Sequence, residues 1–424
     1  MGSSSSSERS AAEAPQRYRN DVSSLCPLFE GCLLGMAVGD ALGYGVEGTI
    51  PENCARRFDA LTAWTFECES RQDEPASSTG GAPSTPAPPA FSQYFPLGQY
   101  TDDTQLTREL LIALLDTWDR RRSGEEKEHQ QEERKRKGDE EQPLEVAMAR
   151  SFASRLCLLF AAHKVVGCGL ATTKAVTLLL RGTPYDKAGS PVGMAGNSPA
   201  VRAACLGLFC CQTDRHALLL RLAVEQSVVT HQDARCCAGA VAMAVAVREA
   251  MRFAPPLSDK AGFAATVADA VRPLDRAFAL CISRLCSHYL PLHRTRAKSV
   301  PELAILINRE GLHDAPDDGS VGVSGFVVSS VIWALFCFLL SPDNLWQTLG
   351  FCMAGGGDAD STCAMALALS GAHLGAGAIP RCVLELVHDQ DNVETGGWEA
   401  LAKLARRAWD AALRGEPQAA VPTV

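Results

Sequence analysis

The sequence predicts an all-α fold, and three observations support this prediction. Apolar residues recur at helical spacing, as in 104–118, where Leu106, Leu110, Leu114 and Trp118 lie on one ridge. Ala- and Leu-rich segments of this kind alternate with loops that contain Gly or Pro. No convincing run of alternating apolar and polar residues, the pattern of a strand, occurs along the chain. Further helical segments are predicted at 144–165, 199–226, 234–253, 265–288, 359–376 and 397–414.

The composition is that of a folded protein and excludes several functional classes. Of 424 residues, 46% are hydrophobic and 21% are charged, which argues against wholesale disorder. The formal net charge of −9 argues against direct binding of nucleic acid. Seventeen cysteines without a CxxC pair indicate free thiols in a reducing compartment, not a disulfide framework or a zinc site. We therefore expect a cytoplasmic protein, and we expect a monomer.

The chain is expected to form one large domain with two polar insertions and two tails. The domain is predicted over 23–416, after a Ser-rich, disordered N-terminal tail at 1–22 and before a C-terminal tail at 417–424. The first insertion, 69–92, is rich in Pro and Gly, which disfavour both helix and strand. The second insertion, 119–142, is dense in charges of both signs and has no apolar stripe.

Targeting signals in the tail and in the second insertion are weak. Gly2 followed by Ser6 fits an N-myristoylation pattern, but no second anchor is nearby, and we prefer a plain tail. Arg134 to Lys137 resemble a nuclear import signal, which would allow a nuclear location, although we prefer a solvated insertion.

One long apolar segment requires a choice between membrane and core. Residues 319–341 carry no charge and are long enough to span a bilayer. The segment holds five serines and lacks flanking Lys or Arg, which is unusual for a membrane helix. A helix that is apolar on all sides also suits the centre of a large helical domain. We predict a buried core helix and no transmembrane segment.

Two carboxylates lie in or just after a glycine-rich helix. From Gly31 to Gly43, glycines recur at four-residue spacing and form one helical ridge, which permits close approach of a helix or a ligand. Close packing explains these glycines but not Asp40 and Glu47. We interpret Asp40 as an orienting or packing residue rather than as a ligand.

Two further turns place pairs of aspartates at the starts of helices. Thr101-Asp102-Asp103-Thr104 precedes one helix, and Gly355-Gly356-Gly357-Asp358-Ala359-Asp360-Ser361-Thr362 precedes another. Helix capping accounts for the first turn as well as metal binding does. It accounts less well for the second turn, because one cap needs one acceptor and this turn offers two carboxylates and two hydroxyls. If the turns meet, their oxygen ligands suit Mg²⁺ or Mn²⁺ rather than zinc or copper.

Six motifs occur in an order that resembles the ADP-ribosylglycohydrolase family, in particular its bacterial member and its serine- and poly-ADP-ribose-cleaving branch. They are GCLLGMAVGDALGYGVEG, YTDDTQL, GMAGNSPAVRAACLG, THQDA, SGFVVSSVIWAL and GGGDADSTCAMALALSGAHLGAGAIP, spread over about residues 25–382. The resemblance implies a single large orthogonal helical domain with two Mg²⁺ ions, or Mn²⁺ in some members. It implies cleavage of the ribose C1″ bond of an ADP-ribosylated protein or a small ADP-ribosyl compound.

The resemblance also implies roles for individual residues. It places the metal ligands at Thr101, Asp102, Asp103, Asp358, Asp360 and Ser361, where Ser361 replaces a common Thr. It makes Glu47 and Asp103 catalytic and places Gly48 where Phe is common. It places substrate binding at Gly193, Met194, Ala195, Gly196, Asn197, Ser198, His231 and Phe326, with Ser198 and Pro199 where Gly is usual.

Other functions were weighed against this hydrolase. A catalytically silent relative that binds ADP-ribose or has a structural role would be expected to lack a ligand carboxylate, and all are present. An HD-type phosphohydrolase would use His313-Asp314 or His388-Asp389, but leaves both aspartate turns unexplained. A prenyl-transfer enzyme needs a third aspartate, which is absent after Asp102-Asp103.

Overall fold

The fold is built from helices, and it was obtained as a computed structural model. The structure describes residues 18–19, 21, 24–72, 86–89, 97–123, 142–311, 321–389 and 396–414. Within these ranges only isolated β-bridges occur and no strand, so the predicted all-α class is confirmed. The helices are α1 Cys26–Tyr44, α2 Pro51–Gln72, α3 Asp102–Ser123, α4 Leu144–Ala161, α5 Leu170–Leu180, α6 Tyr185–Ala188, α7 Ser198–Arg202, α8 Ala204–Phe209, α9 His216–Val228, α10 Ala234–Arg252, α11 Lys260–Val271, α12 Arg276–Arg284, α13 Leu290–Arg294, α14 Val300–Gly311, α15 Val327–Leu340, α16 Leu345–Met353, α17 Ala359–Leu374, α18 Arg381–Leu384 and α19 Trp398–Leu413.

Helices α1 and α17 pack against each other at backbone contact. A Cβ added to Gly35 would lie 2.4 Å from the carbonyl oxygen of Leu367, and one added to Gly39 would lie 2.2 Å from that of Cys363. Such separations exclude any side chain, so only glycine allows these two helices to approach so closely. The predicted glycine ridge therefore serves contact with another helix.

The long uncharged segment is a core helix, as predicted. Helix α15 is buried along its whole length except for Leu340, which is half-buried. In the described part of the chain, α1 is the one helix that is long and apolar enough to cross a membrane by composition. Most of α1 is buried inside the domain, as is typical of a core helix.

Several predicted boundaries differ from the structure. The N-terminal tail was predicted to reach residue 22, but Arg19 donates hydrogen bonds to the carbonyl oxygens of Phe253 and His373. The insertions were predicted to begin at 69 and 119, but helices α2 and α3 continue to Gln72 and Ser123. The Gly2 and Arg134 signals, the C-terminal tail and most of both insertions lie outside the described residues.

Two segments predicted as single helices are broken. The segment 265–288 is interrupted at Pro273, which has no N–H to continue a helix, and Asp275 caps α12 by accepting from Phe278 N at 2.9 Å. The segment 199–226 is interrupted near Gln212, which is extended (φ −75°, ψ 145°) although no Gly or Pro marks the break.

The remaining features either confirm the sequence analysis or add to it. All 17 cysteines are free, as predicted. The sequence analysis missed seven of the described helices, which are short or lack a long unbroken apolar stripe; they are α2, α5, α6, α13, α14, α16 and α18.

The glycine ridge gives a stability prediction. Gly39→Ala is expected to lower the free energy of unfolding by about 1–3 kcal/mol, because the added methyl group overlaps the backbone of α17. Gly377→Ala is the control: Gly377 is exposed, and an added Cβ would meet nothing within 4 Å. Helix propensity alone would make both changes neutral or stabilising. Urea unfolding of both variants measures the difference, and an unaffected Gly39→Ala protein would contradict the packing.

Candidate functional site

A cleft of about 820 Å³ gathers the residues singled out in the sequence. Its walls come from the segment after α1, the first turns of α3 and α17, and the loop before α7. Thr101 is the single predicted site residue that does not line it. The predicted residues that line the cleft are Glu47, Asp102, Asp103, Gly193, Met194, Ala195, Gly196, Asn197, Ser198, His231, Phe326, Asp358, Asp360 and Ser361.

Asp40 holds the first aspartate turn in place. Its carboxylate is completely buried and accepts hydrogen bonds from Thr101 N at 3.0 Å and Thr101 Oγ1 at 2.9 Å. It also accepts from Thr104 N at 3.0 Å and Thr104 Oγ1 at 2.6 Å. Thr101 Oγ1 in turn accepts from Asp103 N at 3.3 Å, as a helix cap does. Asp40 therefore orients the turn from a neighbouring helix and does not enter the cleft.

The second aspartate turn is fixed by two glycines and an amide. Gly356 and Gly357 have φ of +59° and +71°, a conformation that favours glycine. Asn197 Nδ2 donates to Asp358 Oδ2 at 2.5 Å, which ties this turn to the loop before α7. Asp360 Oδ1 accepts from Ser361 N at 2.8 Å.

Glu47 reaches the same turn through backbone pairing. Gly48 N donates to Gly357 O at 2.8 Å, and Gly357 N donates to Thr49 O at 3.3 Å. Carboxylate oxygens of Glu47, Asp358 and Asp360 all lie within 4.8 Å of one another. Gly48 itself has φ +67°, which accounts for glycine at this position.

The two aspartate turns meet in the cleft. The carboxyl group of Asp103 interacts electrostatically with Asp358 and Asp360 of the second turn, and all three side chains line the cleft. Asp103 Oδ2 is buried and has no hydrogen-bond partner within the described part of the chain. An unpaired buried carboxylate oxygen is costly, so this atom is positioned to bind a ligand of positive charge.

Burial raises the pKa of every carboxyl group in this cluster, and repulsion by neighbouring carboxylates raises it further for Glu47, Asp102, Asp103 and Asp360. Desolvation and then Asp40 raise the pKa of Asp102 to about 7. Desolvation and then Asp358 raise the pKa of Glu47 to about 7, although its side chain lies at the mouth of the cleft. The pKa values of Asp103 and Asp360 are raised well above the ordinary range by burial and by their acidic neighbours. The cluster therefore takes up protons or binds cations at neutral pH.

The donor set fits a hard divalent cation. Carboxylate and hydroxyl oxygens are the preferred protein ligands of Mg²⁺, Mn²⁺ and Ca²⁺. The orphaned oxygen of Asp103 and the close approach of Glu47, Asp358 and Asp360 both support such a site.

The loop from Gly193 to Ser198 is held at both ends. At one end Asp233, which caps α10, accepts from Gly193 N at 2.8 Å. At the other end Asn197 N donates to Gly325 O at 3.1 Å. The expected long helix after this loop is short, because α7 ends at Arg202, so its dipole contributes little here.

His231 and Phe326 also line the cleft. His231 is almost completely buried, and its Nδ1 lies 2.9 Å from Thr230 Oγ1. Burial and then the charge of Arg202 lower the pKa of His231 to about 3. Phe326 packs under the guanidinium of Arg235, 5.0 Å from the ring centre.

The family comparison agrees with this geometry. A family model described as ADP-ribosylglycohydrolase matches residues 24–417. The chain belongs to the ADP-ribosylglycohydrolase family. The family is typically metal-dependent.

Two individual relatives add limited information. An uncharacterized protein of Archaeoglobus fulgidus is 28% identical over 219 residues, 52% of this chain and 54% of that protein. The chain thus matches about half the length of this curated relative. A solved structure named ADP-ribosylglycohydrolase-related protein complex is 23% identical with a TM-score of 0.53, covering 92% of this chain and 99% of that chain. At this identity the likeness shows the fold alone.

The sequence analysis missed one wall of the cleft. The connection between α4 and α5 contributes Gly167 and Gly169, and the first turn of α5 contributes Leu170, Ala171 and Thr172. Gly325 and Arg235 also line the cleft. Gly167 has φ +76°, and an added Cβ there would lie 3.3 Å from Thr101 Cβ. The two glycines on either side of Cys168 were the sequence feature that could have indicated this wall of the cleft.

The His-Asp pair considered for a phosphohydrolase serves the fold instead. Asp389 accepts from Arg108 Nη1 at 3.0 Å and from Gln105 Nε2 at 2.9 Å, and neither His388 nor Asp389 lines the cleft. The other pair, His313-Asp314, lies outside the described residues.

The raised pKa values predict how stability depends on pH without a divalent cation. The pKa of Asp102 and Glu47 is about 7 in the folded protein against 3.8 and 4.5 for the unperturbed groups. Between these values the folded state binds more protons than the unfolded state, so this contribution to stability falls as the pH rises from about 4 to about 7. Calorimetry of the protein in EDTA, compared with an Asp103→Asn variant, should show a steeper fall for the unchanged protein.

Adding MgCl₂ should reverse this loss. The rise in Tm on adding MgCl₂ should be larger at pH 7.5 than at pH 5, because protons compete with the cation. An equal rise at both pH values, or the same rise in the Asp103→Asn variant, would contradict a cation site at this cluster.

Asp40→Asn tests the orienting role of Asp40. The amide presents one acceptor where four donors converge, so we expect a loss of about 2–4 kcal/mol in the free energy of unfolding. We also expect weaker Mg²⁺ binding by calorimetric titration, because the first aspartate turn is released. Asp269→Asn is the control, since the side chain of Asp269 is 65% exposed. Unchanged Mg²⁺ affinity in Asp40→Asn would show that the turn does not depend on Asp40.

Proposed function

We propose that the protein is a Mg²⁺-dependent hydrolase that cleaves the ribose C1″ glycosidic bond of ADP-ribosylated proteins or small ADP-ribosyl compounds. The product would be free ADP-ribose. The observation that carries this proposal is the meeting of both aspartate turns with Glu47 in one cleft, which continues to the loop from Gly193 to Ser198. Family membership supports the same class of reaction.

The layout of the cleft suggests how the substrate would lie. The cleft is lined by the carboxylate cluster and also by Phe326 and Arg235. A ribose at the carboxylates would put its C1″ atom beside Glu47. The diphosphate would then run along the loop from Gly193 to Ser198, whose glycines let backbone N–H groups come close to a ligand.

Glu47 is the residue best suited to move a proton. Its pKa of about 7 is close to neutral pH, where a carboxyl group is most effective as an acid or a base. It lies at the cleft mouth, where water and the leaving group have access. Glu47 would either deprotonate the attacking water or protonate the leaving group as an oxocarbenium-like transition state forms.

The remaining carboxylates would hold the cations. Oxygen atoms that could bind a cation line the cleft on Asp102, Asp103, Asp358, Asp360 and Ser361. Thr101 does not line the cleft, and its hydroxyl hydrogen is donated to Asp40, so it could contribute only a lone pair of its oxygen to a cation. Bound Mg²⁺, or Mn²⁺ in its place, would orient the ribose hydroxyls and offset negative charge on the leaving group. Asp103 has an unpaired oxygen for this task and is the ligand whose loss should matter most.

Hydrolysis of a substrate panel tests the proposal. The purified protein is incubated with Mg²⁺ and serine-linked, arginine-linked, O-acetyl and poly-ADP-ribose substrates, and released ADP-ribose is measured by mass spectrometry. At least one substrate should be cleaved. Glu47→Gln should reduce kcat by about 10²–10⁴-fold, because proton transfer is lost. Glu52→Gln, an exposed glutamate on α2, should leave kcat unchanged.

The panel also distinguishes an enzyme from a silent relative. Asp103→Ala should abolish both Mg²⁺ binding and release of ADP-ribose. If the unchanged protein binds ADP-ribose but releases none from any substrate, the protein is a binding relative and the proposed activity is wrong.

A further inference from the structure

Arg202 is a buried cation whose hydrogen-bond partners are all neutral groups. It lies on α7, is completely buried, and donates from Nε to Gln226 Oε1 at 2.5 Å and from Nη2 to Gln226 O at 3.0 Å. It also donates to Thr230 Oγ1 at 2.7 Å and to Ser198 Oγ at 3.1 Å. No carboxylate forms an ion pair with it among the described residues. The charge of Asp102 acts on the guanidinium without forming an ion pair with it. A desolvated charge without a directly paired counterion is costly, so its retention calls for a reason.

The guanidinium determines the direction of the hydrogen bonds around it. Arginine has only donors, so Ser198 Oγ and Thr230 Oγ1 each receive a hydrogen from it. The hydroxyl hydrogen of Ser198 is then directed elsewhere, and Ser198 lines the cleft. Arg202 therefore presents the Ser198 hydroxyl as a donor to a ligand.

The same reasoning assigns the tautomer of His231. Since Thr230 Oγ1 accepts from Arg202, its own hydrogen can go to His231 Nδ1, 2.9 Å away. In the described part of the chain this ring nitrogen is the one acceptor recorded for that hydrogen. His231 stays neutral because burial and Arg202 lower its pKa to about 3. A neutral imidazole that accepts at Nδ1 carries its proton at Nε2.

Nε2 of His231 faces the ligand-binding loop. A Cβ added to Gly196 would lie 3.1 Å from Nε2, so a side chain at Gly196 would crowd this atom. His231 and Gly196 both line the cleft. The Nε2–H group is thus directed toward the part of the cleft that the loop encloses.

We propose that Arg202 is a positioning residue that makes Ser198 and His231 neutral hydrogen-bond donors to an anionic phosphate oxygen of the ligand. The inference rests on the proposed function, in which this part of the cleft holds a diphosphate. Arg202 acts through Ser198 and Thr230 and does not touch the ligand. Its charge also acts beyond these hydrogen bonds, because after burial it lowers the pKa of His231, and it partly offsets the rise that burial produces in the pKa of Asp102.

The hydrogen bonds that run from Arg202 through Thr230 to His231 are here called the relay. Thr230→Val tests the relay, because valine keeps the shape of threonine and removes the hydroxyl. The tautomer of His231 is read from long-range ¹H–¹⁵N spectra of ¹⁵N-histidine-labelled protein, assigned with His231→Gln. The unchanged protein should show a proton on Nε2 and none on Nδ1. Thr230→Val should lose the fixed tautomer and bind ADP-ribose about tenfold more weakly in calorimetric titration. Thr230→Ser should restore both.

The controls separate this inference from the proposed function. Thr177→Val, an exposed threonine on α5, should change neither readout. A proton on Nδ1 in the unchanged protein, or equal affinity for ADP-ribose in Thr230→Val, would overturn the role of Arg202. If instead the unchanged protein shows the Nε2 proton but binds no ADP-ribose, the relay stands and the assigned ligand, with the proposed function, is wrong.

Discussion

The close contact between α1 and α17 is the constraint on which the site depends. With glycine at the crossing, the two backbones lie closer than any side chain permits, and the end of α1 comes to the start of α17. Backbone hydrogen bonds between Gly48 and Gly357 then put Glu47 beside Asp358. From the same helix α1, Asp40 reaches across to hold Thr101 and the first aspartate turn. One helix pair therefore positions residues from three separated parts of the sequence.

The cleft combines a cluster of carboxylates with a buried cation beside it. The carboxylates are buried and repel one another, which costs stability that a divalent cation would restore. The hydrogen-bond partners of Arg202 are neutral, and its charge also acts on Asp102. The proposed ligand, which would reach the cations through a sugar and carry negative charge on a diphosphate, would suit both features. The stability lost to this arrangement is consistent with a functional site rather than a structural one.

Much of the fold could be predicted from local patterns, and the exceptions have physical causes. Long apolar periods such as α3 and α15 were recognised because their burial leaves a strong signature in sequence. The break near Gln212 has no Gly or Pro and depends on tertiary packing, so no local rule finds it. The aspartate turns were found because paired carboxylates beside glycines are unusual in a core. Their meeting, the partners of Asp40 on the first turn and the hydrogen bonds through Thr230 depend on contacts between distant segments, which composition does not reveal.

Anomalous diffraction from crystals grown with Mn²⁺ tests the central claim most directly, because it locates the cations without reference to activity. The account predicts anomalous density between the aspartate turn at Asp102 and Asp103 and the turn at Asp358 and Asp360, with Glu47 facing the same space. The absence of anomalous density there at saturating Mn²⁺ would contradict the account. So would a structure in which the two turns lie apart and each carboxylate only caps its own helix.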